Sequence, residues 1–144
     1  MHLFKTTLLT LLLYFSLSAH AASATEHNFQ AFWDKFKAAS LANNYPELEK
    51  MIYFPLAIKG TTDDVPIKKY GKNDLRKIYP KLMQQTVSQL DSADKFIDMP
   101  FAELIKKIDK VDASTEDQHT RVEQFEFSLI NNQWYLVSAY LEEQ

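Results

Sequence analysis

Apolar residues change their spacing several times along the chain, and each change predicts an element. Phe29, Phe32, Trp33 and Phe36 fall at i, i+3, i+4 and i+7 with Asp34, Lys35 and Lys37 opposite, which predicts an amphipathic helix over 26–42. Asn43-Asn44 ends it, and Pro46, with Glu47 and Glu49 near the positive end of the dipole, predicts a short second helix over 46–52. Residues 54–60 then alternate large and small side chains as a strand does, and Pro55 should confine that strand to a sheet edge or to its own first positions. Residues 61–64 turn the chain into a partner strand over 65–70. Helical spacing returns at Leu75, Ile78, Tyr79, Leu82, Met83, Val87 and Leu90, predicting a helix over 73–90 that is kinked or divided at Pro80. After Pro100, the spacing of Phe101, Leu104, Ile105 and Ile108 favours a short helix running into a strand over 107–113, although a strand starting near Ile105 would also satisfy the burial.

The C-terminal third has the period of strands. Segments 120–130 and 133–142 flank Asn131-Asn132, a pair that tolerates the positive φ of a two-residue hairpin turn. That register sets Ile130 against Gln133, Leu129 against Trp134, Phe127 against Leu136 and Phe125 against Ser138. One face then gathers Phe125, Phe127, Leu129, Trp134 and Leu136, and the other holds Gln124, Glu126, Ser128, Tyr135, Val137 and Ala139.

The N-terminus reads as an address. Lys5, the apolar run from Leu8 to Leu17 and the small residues of Ala19-His20-Ala21 have the form of an export signal, expected to be removed after Ala21 to leave one domain over 22–144 in the periplasm or outside the cell. A membrane span needs about 20 apolar residues, and this run is roughly half that, so no membrane anchor is expected after cleavage; the alternative is an uncleaved N-terminal anchor. Losing Lys5 takes the formal net charge from −3 to −4. An acidic chain without a basic block offers little to a phosphate backbone, so no nucleic-acid partner is expected.

The sequence has no cysteine, which excludes disulfides, thiol nucleophiles, lipid-modified Cys and Cys-type metal sites. Packing alone must hold the fold, and ten Phe, seven Tyr and two Trp supply the area to bury. Gly60 and Gly71 are too few for a phosphate loop, and no Gly-x-Ser-x-Gly elbow occurs. His27 and His119 lack the i, i+4 partner or apolar framing of a metal or base site and read as surface histidines, so no metal or other cofactor is expected.

The pieces Phe29-x-x-Phe32-Trp33-x-x-Phe36, Tyr53-Phe54-Pro55-Leu56 and Asn132-Gln133-Trp134-Tyr135-Leu136-Val137, in this order of helices and strands, resemble the nuclear transport factor 2-like superfamily over nearly all of 22–144. The resemblance implies an α+β fold, with N-terminal helices packed on a curved antiparallel sheet. It further implies a cone with a pocket at its wide end, often in homodimers. No single activity follows, because this fold hosts isomerases, dehydratases, hydrolases and many non-catalytic binding modules.

Isomerase-like members use a buried carboxylate as base. The weak catalytic candidate here is Glu123, which the hairpin register pairs with Tyr140 on the face of Phe125 and Phe127. The alternative is that Glu123 meets water at the open end of the sheet, with an ordinary pKa. Trp33, Tyr53, Phe127, Trp134 and Tyr140 are the candidates to line a binding pocket, although aromatics at these spacings also build cores. Tyr135, Val137 and Ala139 are the residues expected at a homodimer contact. The favoured reading is an exported, non-catalytic protein that binds a small apolar ligand or a protein partner. The alternatives are a pocket enzyme of isomerase or hydrolase type, and an immunity or inhibitor protein acting in the periplasm.

Overall fold

The computed structural model describes residues 28–62, 64–111 and 118–142. Asn28 opens the first described helix by accepting the Gln30 N–H at 2.9 Å and the Ala31 N–H at 3.4 Å, which satisfies donors that have no partner within the helix. The helix, α1 (Phe29–Leu41), is followed by α2 (Tyr45–Met51), with Asn44 as its cap, and by strand β1 (Ile52–Lys59). Next come β2 (Lys68–Tyr70), a single 3-10 turn, α3 (Leu75–Gln84), the hairpin of β3 (Thr86–Leu90) and β4 (Phe96–Pro100), and α4 (Phe101–Lys107). Three strands end the fold: β5 (His119–Val122), β6 (Phe125–Ile130) and β7 (Gln133–Tyr140).

The class is α+β, with α1 and α2 preceding a curved sheet of order β2-β1-β7-β6-β5. Its pairs are antiparallel except β1 with β7, which run parallel. β3 and β4 form a separate two-stranded sheet. Phe29, Trp33 and Phe36 of α1 lie against Phe127 and Trp134 of the large sheet, with ring centroids 5.2 Å apart for Phe36–Phe127 and 4.9 Å for Phe29–Trp134. Tyr79 of α3 and Phe101 of α4 close the other side around Phe125. These contacts are edge-to-face except the stacked Tyr79–Phe125 pair, and they add specific geometry to the area that the rings bury.

Several local expectations are overturned by tertiary partners. The predicted helix over 73–90 stops at Gln84, and Thr86–Leu90 is a strand. Gln85 makes the exit: its carbonyl accepts the Phe101 N–H at 2.9 Å and its amide donates to the carbonyls of Leu82 and Tyr140, so the chain leaves the helix without losing hydrogen bonds. Val87 then points inward opposite Met99, while Leu90 points out, a period of two that mimics 3.6 at only two positions. β4 was not anticipated. After α4, residues 108–111 form no strand, and 112 and 113 lie outside the described residues.

Pro55 does not mark an edge. β1 lies between β2 and β7, and Pro55 falls where pairing to β7 shifts between Ile52 and Ala57 and before the β2 ladder begins at Leu56, so its missing donor is not needed. The expected strand over 65–70 shortens to Lys68–Tyr70. The expected strand over 120–130 is two strands, because Glu123 takes φ 53° and turns the chain between β5 and β6.

The terminal hairpin has the expected pairs Ile130–Gln133, Leu129–Trp134 and Phe127–Leu136, but a bulge at Val137 then shifts the register. Phe125 faces Ala139, not Ser138, and Glu126 faces Ser138. One extra residue turns each later side chain over, so Ala139 is fully buried and cannot serve the expected dimer contact.

Candidate functional site

The aromatic residues expected to line a pocket divide between two surfaces. Trp33, Phe127 and Trp134 are buried in the core, where they touch other rings of the protein. The Trp33 indole N–H donates to the Ile108 carbonyl at 3.2 Å, so its polar edge is already committed. Below them Tyr79 O–H and Ser40 Oγ share a 2.6 Å hydrogen bond, and burial pushes the Tyr79 phenol far above its usual range, which keeps it protonated. No buried side-chain polar atom among the described residues lacks a partner.

Tyr53 and Tyr140 are on the outer face of the sheet. Two rows of side chains cross that face. In one, His119 Nδ1 and Ser128 Oγ are 2.8 Å apart on paired strands, and Tyr135 meets Tyr53 edge-on with centroids 5.9 Å apart. In the other, Lys59 Nζ lies 2.6 Å from Glu126 Oε2, Tyr140 O–H donates to Glu126 Oε1 at 3.0 Å, and Ser138 Oγ–H also donates to Glu126. Two cations lie over the Tyr140 ring, with the Arg121 guanidinium 4.4 Å and the Lys59 ammonium 5.3 Å from its centroid.

Glu126, not Glu123, is therefore the carboxylate that Tyr140 meets. Burial alone would raise the Glu126 pKa, but hydrogen bonds from Lys59, Ser138 and Tyr140 outweigh it and hold the carboxyl below its ordinary value. The same Glu126 bond raises the Lys59 pKa against the opposing effect of burial. A carboxylate stabilised in its charged form is a weaker proton acceptor than an ordinary one. Sequence alternation placed Glu126 on the polar face correctly, but a straight register paired Tyr140 with the wrong acid. Glu123 sits in the β5–β6 turn, where its side chain accepts from Gln89 at 3.2 Å and its carbonyl from Arg121 at 2.6 Å.

The His119–Ser128 pair was not legible in the sequence, since it depends on which strands are neighbours. A nucleophilic serine needs access and a base that is itself oriented, whereas Ser128 is buried and its bond follows directly from the cross-strand pairing. His27 lies outside the described residues. Among the described residues no three His, Asp or Glu gather as a metal site, and no helix is long and apolar enough to cross a membrane.

Outside the core, a groove of about 530 Å³ opens where α3, β2 and the end of β7 meet. Lys68, Tyr70, Lys81, Gln84 and Leu141 are among its walls. No family model, no curated protein and no solved structure matches the chain.

Proposed function

We propose that this is an exported, non-catalytic member of the nuclear transport factor 2-like kind that docks a protein partner on the outer face of its sheet. The carrying observation is the contrast between the faces: the inner one is filled by the protein's own rings, while the outer one presents Tyr53, 50% exposed, beside Tyr135 and the Lys59–Glu126–Tyr140–Arg121 cluster. Tyrosine and arginine on a rigid sheet are the residue types that anchor protein interfaces. Of the two occupants expected from the sequence, a small apolar ligand held between helices and sheet would have to displace Phe29, Phe36 or Phe127 from ring contacts, which favours a protein partner. The inhibitor or immunity reading is one form of this function, with a toxin as the partner. Export is supported by Lys5, the Leu-rich run and Ala19-His20-Ala21.

A photo-crosslinking residue at position 53, and separately at 106 on α4, tests this in the protein's own compartment. Position 53 should yield a discrete adduct with another protein that position 106 does not. Native mass spectrometry should give whole multiples of the mass of a polypeptide beginning near Ala22, with no small molecule added. A retained small apolar molecule, or equal crosslinking at both positions, would overturn the reading.

A further inference from the structure

The β3–β4 hairpin carries the most exposed large apolar side chain described. Phe96 is 76% exposed and its cross-strand partner Leu90 58%, side by side at the end of the ladder. Neither packs on the domain, although the hairpin is firmly held: Val87 and Met99 are buried on its other face, Lys107 Nζ contacts Met99 Sδ at 3.7 Å, and Gln89 donates to Glu123. The tip is rigid as well. Asp91 Oδ1 accepts the N–H groups of Ala93 at 2.8 Å and Lys95 at 2.9 Å, and the Asp91 N–H donates to the Lys95 carbonyl at 2.8 Å. A fixed, protruding Phe–Leu pair loses little conformational freedom on docking, which is the character of an interface anchor.

The charge around this tip is acidic: Asp91, Asp94 and Asp98 outnumber Lys95. Anionic lipid would repel it. The complementary surface occurs on the same chain. The groove beside α3 has Lys68, Lys81 and Glu142 on its walls, so its cations outnumber its acid, with Tyr70, Ile78 and Leu141 as apolar lining and about 530 Å³ of space. Its Gln85 wall is the root of the hairpin. Five residues of strand separate Gln85 from Leu90, about 17 Å at 3.4 Å per residue. Two hairpins laid antiparallel about a two-fold axis near Ser88 would thus bring each tip to the other's root.

We infer that two copies of this chain pair through their hairpins, with Phe96 and Leu90 of each copy seated in the Tyr70–Leu141 groove of the other and Asp91 and Asp94 facing Lys81. Because each copy gives a tip and receives one, the contact closes at two subunits and does not propagate. This site is separate from the outer sheet face, and either can fail without the other.

Sedimentation velocity on the purified protein from about 1 to 200 µM gives the test. The unaltered protein should be a dimer at the upper end. Phe96→Asp and Lys81→Glu should each raise the dissociation constant about 30-fold or more, the effect of losing an anchor, with the melting temperature unchanged. Mixing the two variants should restore part of the dimer, because the mixed pair keeps one intact tip in one intact groove. A Tyr53→Ser variant should dimerise normally. A monomer at 200 µM, or a dimer indifferent to both substitutions, would overturn the proposal. So would a monomer in which Phe96→Asp instead abolishes an adduct with a different protein.

Discussion

The inner and outer faces of β6 and β7 are made by alternate residues of the same two strands, yet they obey different physics. Inside, Phe125, Phe127, Trp134, Leu136 and Ala139 are nearly dry and stabilise by area and ring geometry. Outside, Glu126, Ser138 and Tyr140 form a hydrogen-bonded ion cluster with Lys59 that is partly open to water, where an ion pair is worth little and is screened by salt. The inner face thus carries the stability, and the outer face adds little to it.

Phe127→Ala should break the inner face most, costing about 3–5 kcal/mol in urea unfolding, because the ring touches Phe29, Phe32, Trp33, Phe36 and Phe125 and the hole cannot collapse. A loss under about 1 kcal/mol would mean that the ring faces water. Tyr79→Phe tests the polar point in that same interior. It leaves Ser40 Oγ, 1% exposed, without its partner and should cost about 1–3 kcal/mol; an unchanged midpoint would mean that water reaches Ser40.

On the outer face, Glu126→Gln should cost about 1 kcal/mol or less at pH 7. The pH dependence carries more information. With the folded Glu126 pKa depressed below its ordinary 4.5, its contribution is present above that value and is lost as pH falls through the folded one. The difference between parent and variant should therefore close on acidification below pH 4.5, and a difference unchanged at pH 2 would show that the charge is not what stabilises. For Lys59, whose pKa is raised above 10.5, the contribution is full below that value and is lost as pH rises through the folded one. Tyr53→Ser should have the smallest effect, within about 0.5 kcal/mol, while removing the position-53 surface from any partner. A larger loss would make Tyr53 part of the core's support.

The inner face was legible before the fold was known, and much of the outer one was not. Phe29, Trp33, Phe36, Phe127 and Trp134 announce their burial by spacing within one element. Glu126 appeared as a polar-face residue, but its link to Lys59 depends on β1 and β6 flanking β7 in the sheet, and the two residues are 67 apart in the chain. Likewise, treating Glu123 as Tyr140's partner followed from a straight hairpin, whereas the bulge at Val137 and the turn at Glu123 moved both residues.

By itself the sequence determined the α+β class, the apolar stripe of α1, the inward set of β6 and β7 up to the bulge, and the absence of thiol chemistry, because each is written in local periodicity or composition. Only the tertiary structure decided that β1 pairs parallel to β7, that Thr86–Leu90 is strand, and that Leu90 and Phe96 project together from the domain. These depend on which distant groups satisfy a backbone or cover a side chain. Gln85 ends its helix through bonds to Phe101 and Tyr140, partners that local spacing does not encode.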